Sequence, residues 1–213
     1  MKQLNVFVID GEREYQAMWS KKGHNIVHYL EKADVVQFTG GEDVSPALYC
    51  PMKHPRTHNN VLRDEFELGI YLEAIRQGKY IAGICRGGQF LNVMNGGTMI
   101  QHVTGHAIYG THELTDMVTG EKHQVTSTHH QMMVMGARGE LVATANLGGS
   151  KDIIVDGVFV TTESNDEDYP DYDTEVVWYE GTKSLCFQPH PEFNGYSGCT
   201  DYFFSLVERY FQQ

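Results

Sequence analysis

The sequence predicts an α/β fold, built as one unit over residues 1–213, with a mostly parallel sheet. Two short runs rich in Val, Ile and Phe lie at 4–9 and 34–39, and each ends in turn residues. Such runs are typical of buried parallel strands. Further along the first half, a helical period alternates with the strand-like runs. This alternation indicates parallel strands joined by right-handed crossovers.

The next elements of the first half are a helix, a strand and a second helix. Leu68, Tyr71, Leu72 and Ile75 recur at helical spacing within 63–78, and Gly78 stands where a C-terminal cap belongs. Residues 80–84 then form another buried apolar run, and a short helix near 89–94 follows a tight turn.

The second half is predicted to be mainly β structure. Short apolar runs at 124–127, 141–144, 153–160, 175–179 and 184–187 are separated by Gly, Asn or Asp. A closing helix carries Phe203, Leu206, Val207 and Tyr210 on one stripe. The chain has no internal repeat and no long linker, so a single domain is the simplest interpretation.

Composition excludes several classes of protein. The formal net charge of −12 argues against nucleic acid as a partner, because phosphate binding requires a basic face. No apolar run approaches the ~20 residues needed to cross a bilayer. The N-terminus lacks the pattern of a signal peptide, and the four scattered cysteines are best interpreted as reduced thiols. We therefore expect a cytoplasmic location, with neither nucleic acid nor membrane as a partner.

The acidic stretch Thr162–Glu175 is predicted to be a solvated loop, as charge blocks usually are. A second hypothesis is that it attracts a cationic substrate or partner to a nearby site.

Cys85 is the candidate nucleophile. The predicted strand 80–84 runs into Gly-x-Cys-x-Gly and then directly into a helix, the arrangement known as a nucleophile elbow. Small flanking residues permit the tight turn, and the turn raises the side chain above the carboxyl edge of the sheet, where ligands bind in such folds. The N-terminus of the following helix also stabilises an anionic sulfur.

His190 and Glu192 are the candidate base and its orienting group. The strand-like run 184–187 leads into Gln-Pro-His-Pro-Glu, and the two prolines stiffen the segment. In an extended conformation, Glu192 reaches the far imidazole nitrogen of His190. A thiol nucleophile requires this kind of base and orienting group.

A glycine pair lies at the end of another predicted strand, in the stretch 39–43. Adjacent glycines let the backbone approach a ligand closely and direct N–H groups at an anion. With the N–H of Arg86, which follows the nucleophile, this loop is a candidate oxyanion hole.

Together these motifs resemble the class I glutamine amidotransferases, and more narrowly their γ-glutamyl-γ-aminobutyrate hydrolase branch, which is classed with the cysteine peptidases. The resemblance rests on GGEDVSPALY, RDEFE, GICRGGQFLNVMNGGT, TSTHHQ and QPHPEF, in that order along nearly the whole chain. It implies a flavodoxin-like doubly wound sheet with helices on both faces. It also implies hydrolysis of a γ-glutamyl amide without a metal or organic cofactor.

The resemblance assigns roles residue by residue. It makes Cys85 the nucleophile, His190 the base and acid, and Glu192 the group that orients His190. It places the backbone amides of Gly41 and Arg86 in the oxyanion hole. The positions that it assigns to the glutamyl pocket are Gln89, Ser127, His129 and Gln131. The sequence departs from the branch at Cys50, usually Gly, and at Pro189, commonly aromatic, which leaves the leaving amine unspecified.

Two interpretations of the activity remain open. One is a stand-alone hydrolase of a small-molecule γ-glutamyl amide. The other is a glutaminase subunit that passes ammonia to a separate synthetase partner. The branch motifs favour the first.

A third interpretation is a metal-binding or ligand-binding protein, because six histidines crowd the middle of the chain. They are His102, His106, His112, His123, His129 and His130. No HExxH or paired Cys/His spacing is present, and neighbours such as His129 and His130 point to opposite faces of an extended segment. We therefore expect pocket and surface histidines and no metal.

Overall fold

A computed structural model describes residues 2–164, 166–167, 172–193 and 195–211. Its centre is a nine-stranded mixed sheet, accompanied by two small antiparallel pairs and four α-helices. The strands are β1 Asn5–Val8, β2 Asn25–Ile26, β3 Val35–Phe38, β4 Tyr80–Ile84, β5 Thr98–Ile100, β6 Ala107–Asp116, β7 Lys122–Thr128, β8 Met132–Val134, β9 Glu140–Ala145, β10 Ser150–Val155, β11 Val158–Glu163, β12 Asp173–Tyr179 and β13 Ser184–Phe187. The helices are α1 Arg13–Lys21, α2 Val61–Arg76, α3 Arg86–Met94 and α4 Ser197–Tyr210.

The large sheet has the order β2-β1-β3-β4-β13-β12-β9-β6-β7. Its first five strands pair in parallel, whereas β12, β9, β6 and β7 extend it with antiparallel pairing. The parallel part has β4 and β13 as neighbours, so the segments that follow these two strands leave the same edge of the sheet. The candidate nucleophile and the candidate base follow those strands.

Helices cover both faces of the sheet. On one face, Trp19 of α1 and Phe203 of α4 pack in one apolar cluster with Ile84. On the other face, Tyr71 of α2 and Phe90 of α3 pack in a second cluster. The observed architecture is therefore the flavodoxin-like α/β class that the sequence predicts, with an antiparallel extension.

Several predicted elements need correction. The run 153–160 is a hairpin rather than one strand, because Asp156 and Gly157 turn the chain between β10 and β11 with φ of 50° and 77°. Leu72 does not belong to the buried stripe of α2, since 57% of it is exposed. None of the described helices is both long and apolar enough to span a membrane.

The acidic stretch Thr162–Glu175 is only partly the solvated loop that the sequence predicts. Residues 165 and 168–171 lie outside the described part of the chain. At its end, however, Asp173 and Glu175 are buried in β12. Carboxylates in the interior require partners there. Asp173 pairs with Lys151 at 2.7 Å and with His106 at 3.2 Å, and Glu175 faces His112 and His129.

Candidate active site

Cys85 occupies the turn between β4 and α3. Its backbone lies at φ 49° and ψ −113°, an unusual conformation for a residue with a side chain. The Cys85 N–H donates to the carbonyl of Phe187 in the neighbouring strand at 2.8 Å, so the turn is tied to the sheet. The thiol is half-buried rather than enclosed. This is the geometry of a nucleophile elbow.

The glycines around Cys85 are required by close backbone contacts. A Cβ at Gly87 would lie 2.6 Å from the carbonyl atoms of Phe38, and one at Gly88 would lie 2.9 Å from the nitrogen of Phe187. A Cβ at Gly83 would collide with the backbone of Gly87. The three glycines therefore let α3 begin directly against β3, β4 and β13.

His190 lies just beyond β13, and two polar contacts fix it. Its N–H donates to Oγ1 of Thr126 at 2.6 Å, and its Nδ1 lies 2.6 Å from Oε1 of Glu192. Since an ionised carboxylate only accepts, Nδ1 carries a proton and Nε2 is left for a reacting group. The ring of Phe193 stacks on the imidazole with 4.5 Å between centroids.

Cys85 and His190 meet across Gly40. A Cβ built at Gly40 would lie 3.0 Å from Cε1 of His190 and 3.8 Å from Cβ of Cys85. Burial lowers the pKa of His190, but the nearby Cys85 sulfur and the Glu192 carboxylate outweigh burial and raise the pKa to about 10. The imidazole is therefore protonated at neutral pH, as an ion pair with a thiolate requires.

The glycine loop beside Cys85 is held in place by Arg63 of α2. The guanidinium donates to the carbonyl oxygens of Gly40 at 2.8 Å and Thr39 at 3.2 Å. Gly41 has φ 134°, and the guanidinium occupies the space that a Cβ at Gly41 would need. Only glycine fits at position 41, and the backbone of its neighbour Gly40 lies close to the nucleophile.

A buried ionic cluster connects this loop to the nucleophile turn. The Arg86 side chain pairs with Asp64 and Glu67 and is 1% exposed. Glu67 also accepts from Nε of Arg63 at 2.8 Å. Burial and the neighbouring Arg63 lower the pKa of Arg86 to about 10, which leaves it charged at neutral pH. The motif RDEFE thus fixes both segments in which the sequence places oxyanion donors.

The residues predicted to line the glutamyl pocket are all buried. Gln89 donates to the side chain of Gln188 at 3.2 Å. The Ser127 hydroxyl donates to the carbonyl of His106 at 2.7 Å, and Gln131 donates to the carbonyl of Gln101 at 3.1 Å. His129 faces Glu175, while His130 faces Asp43, as expected for neighbours with opposite orientations. Substrate binding by these residues stays a prediction.

Tyr15 is a site residue that sequence reasoning missed. Its hydroxyl accepts the Gly40 N–H at 2.9 Å. Burial and the adjacent Glu192 carboxylate raise its pKa above the usual value, so the phenol stays neutral. The signal for α1 was present, because Tyr15, Met18 and Trp19 are buried at the i, i+3, i+4 spacing of an amphipathic helix.

A cleft of about 300 Å³ opens over these groups. His190 and Glu192 line it on one side and the backbone of Gly40 and Gly41 on another, whereas Glu12 and Glu14 stand at its mouth. The cleft is large enough for a small molecule, and it is lined by an imidazole and by glycine backbone, with Cys85 next to the Gly40 segment. This set is suited to acyl transfer through a covalent intermediate.

Known proteins are similar to this chain over most of its length. The model of the Peptidase C26 family matches residues 17–155. Protein NtpR of Enterococcus hirae is 31% identical over 194 residues, which cover 81% of this chain and 72% of that protein. A glutamine amidotransferase-like protein of Lactococcus lactis subsp. cremoris, the YvdE homolog, is 35% identical over 53% of this chain and 70% of its own length.

Solved structures share the fold at low sequence identity. A glutamine amidotransferase from Thermotoga maritima has a TM-score of 0.60 at 15% identity, over 98% of this chain and 86% of that one. A protein described as a GMP synthase subunit, from Thermoplasma acidophilum, has a TM-score of 0.65 at 14% identity, over 98% and 94% of the two chains.

Proposed function

Because this chain belongs to the Peptidase C26 family of class I glutamine amidotransferase-like proteins, we propose that it hydrolyses a γ-glutamyl amide bond with Cys85, His190 and Glu192. The observation that carries the proposal is the juxtaposition of Cys85, in its strained turn, with a protonated His190 held by Glu192. The expected substrate is a small-molecule γ-glutamyl amine or related amide.

In the first half-reaction, the Cys85 thiolate attacks the amide carbon. The carbonyl oxygen becomes an oxyanion that accepts hydrogen bonds from the N–H groups of Gly41 and Arg86. The His190 imidazolium gives its proton to the leaving nitrogen, and the C–N bond breaks. The amine departs, and a γ-glutamyl thioester remains on Cys85.

In the second half-reaction, the neutral His190 takes a proton from water, which attacks the thioester carbon. The oxyanion forms again at the same N–H groups. Collapse of the intermediate breaks the C–S bond, releases glutamate and restores the ion pair between Cys85 and His190. Glu192 supports both halves, because its bond to Nδ1 keeps Nε2 directed at the reacting atoms.

The test is release of glutamate from glutamine and from a panel of γ-glutamyl amines by the isolated chain. The panel includes amines with a distal positive charge, since Glu12 and Glu14 stand at the mouth of the cleft. Cys85→Ala is expected to lower turnover at least about a thousandfold. Cys50→Ala is the matched control, because Cys50 is the other half-buried cysteine. This variant should keep hydrolysing the amide, and any change should be limited to which amine is preferred.

Each result of this assay has a clear meaning. Turnover of one amide by the wild type, lost in Cys85→Ala with its fold intact, supports the proposal and identifies the leaving amine. Near-full activity in Cys85→Ala would exclude Cys85 as the nucleophile. Turnover of glutamine alone, and only with a synthetase added, would instead favour the glutaminase-subunit function. That alternative is in keeping with the synthase-subunit description of one structural relative.

A further inference from the structure

A buried group of side chains of the types that ligate metals is not used in the proposed mechanism. His106 precedes β6, His129 follows β7, and Glu175 belongs to β12. The three residues are between 0% and 3% exposed. One ligand atom from each lies within 4.8 Å of the other two. Three separate strands thus bring two imidazoles and a carboxylate to one point in the interior.

Backbone contacts fix the protonation of both imidazoles. Nδ1 of His106 lies 2.9 Å from the carbonyl oxygen of Thr104, and Nδ1 of His129 lies 2.8 Å from that of Gln131. A carbonyl oxygen can only accept, so each Nδ1 carries the proton. In the neutral rings, the lone pair is then on Nε2, which faces the cluster. Histidines that bind metals in proteins are usually oriented by this kind of outer hydrogen bond.

The inner atoms of the cluster are not satisfied by hydrogen bonds. Within the described ranges, Nε2 of His129 and both carboxylate oxygens of Glu175 are buried without a hydrogen-bond partner. Nε2 of His106 is not hydrogen-bonded either, but it lies 3.2 Å from Oδ2 of Asp173, with which it forms an ion pair only when the ring is protonated. Such atoms usually cost stability. His112 and His129 approach Glu175 at 3.2 and 3.6 Å, but both approach Oε1. Protonated histidines would therefore leave Oε2 without a partner, whereas a cation can bind it.

We propose that His106, His129 and Glu175 bind one divalent transition-metal ion through Nε2, Nε2 and the carboxylate. Two imidazoles and one carboxylate form a ligand set suited to Zn²⁺ and its first-row neighbours. His112, whose Nε2 lies 3.2 Å from Oε1, orients the carboxylate. This proposal replaces the sequence-based expectation of no metal, and it gives His129 a role other than substrate binding.

The position of the site indicates a structural role beneath the catalytic loop. The carbonyl oxygen of Glu175 accepts the N–H of Gln188 at 2.8 Å, two residues before His190. The Ser127 hydroxyl donates to the carbonyl of His106 at 2.7 Å. An ion at this point would join β6, β7 and β12 where they support the segment that carries His190.

The test measures metal binding by the full chain, purified without a histidine tag and stripped with a chelator. Zn²⁺ alone is added, and bound metal and unfolding temperature are measured. Wild type is expected to take up about one equivalent and to unfold at a higher temperature than the stripped protein. His129→Asn and Glu175→Gln should lose both effects. His102→Asn is the matched control, because His102 stacks on His54 in a second, less buried histidine group.

A second measurement does not depend on the folding of the variants. Co²⁺ added to the stripped wild type should give visible absorption bands typical of low-coordinate nitrogen and oxygen ligation, and Zn²⁺ should abolish them. The proposal is overturned if stripped wild type binds no Zn²⁺, if Co²⁺ keeps the spectrum of the aqueous ion, or if His102→Asn loses the metal while His129→Asn keeps it. Because no readout is catalytic, its failure is distinct from failure of the proposed hydrolase function.

Discussion

At the scale of the single residue, the candidate active site consists of groups that fix one another's charge. Glu192 holds Nδ1 of His190 at 2.6 Å, and the Cys85 sulfur lies on the other side of the ring. The Cys85 sulfur and the Glu192 carboxylate both favour the imidazolium over the neutral ring, even though burial opposes it. The charge of His190 therefore depends on the presence of the thiol.

This dependence predicts a lower pKa of His190 in Cys85→Ala. In wild type the imidazole should stay protonated well above its ordinary pKa of 6.5, because its pKa in the folded protein is about 10. Since the folded-state pKa is raised, the contacts of the His190 imidazolium contribute stability that is complete below pH 6.5 and is lost as the pH rises through about 10. NMR titration of labelled histidine, with the His190 signal identified by its absence in His190→Gln, measures both values. Cys50→Ala should titrate like wild type, and equal pKa values in wild type and Cys85→Ala would contradict the argument.

Individual residues also show which parts of the site can be predicted from sequence. Cys85 and His190 stand out because the turn glycines and prolines that constrain each one are adjacent in the chain. Tyr15 was missed, and Arg63 was quoted within the motif RDEFE without a role, since their contacts with the Gly40 segment span about 25 residues and depend on packing of helices against the sheet. The convergence of His106 with Glu175 was hidden for the same reason, across 69 positions of the chain.

At the scale of the element, the start of α3 depends on glycines that let backbone meet backbone. Gly87→Ala should destabilise the fold by at least about 2 kcal/mol, because the new Cβ would lie 2.6 Å from the Phe38 carbonyl, which cannot move aside. Gly69→Ala is the matched control: Gly69 lies on the exposed side of α2 with open space around its Cα. The Gly69→Ala variant should have a free energy of unfolding ~0.5–1 kcal/mol higher than wild type, because Ala has the higher helix propensity. Urea unfolding measures the change in the free energy of unfolding for both variants. A Gly87→Ala protein as stable as wild type would show that the Phe38 carbonyl does not exclude a side chain at position 87.

The elements themselves were predictable where hydrophobic pattern and turn chemistry agree. The bounds of β4 and β13 match the prediction, because each is a continuous apolar run closed by a turn. β6 was not predicted as a strand, since Gly110, His112 and several polar residues interrupt its apolar pattern. Its pairing with both β7 and β9, rather than its own sequence, determines its conformation. The Asp156-Gly157 turn was a readable hairpin signal that the apolar run 153–160 obscured.

At the scale of the whole molecule, one apolar cluster crosses from the parallel to the antiparallel part of the sheet. It contains Val6 and Ile84 from the parallel strands together with Val125 and Val176 from the antiparallel ones. Helix α4 packs against both parts. A core shared in this way leaves neither half of the sheet with a separate interior, so the two halves should unfold together.

The two tryptophans test this expectation, because each reports on one half. Trp19 packs on Phe204 with 5.0 Å between ring centroids, near the parallel strands, and Trp178 of β12 stacks on Tyr210 at 4.8 Å. Trp178→Phe leaves Trp19 as the only tryptophan, and Trp19→Phe leaves Trp178. Within each variant, fluorescence and far-ultraviolet circular dichroism should give the same urea midpoint. If the Trp178 signal changes at a lower urea concentration than the secondary structure of the same variant, the antiparallel extension unfolds separately and the prediction of a single domain over 1–213 is wrong.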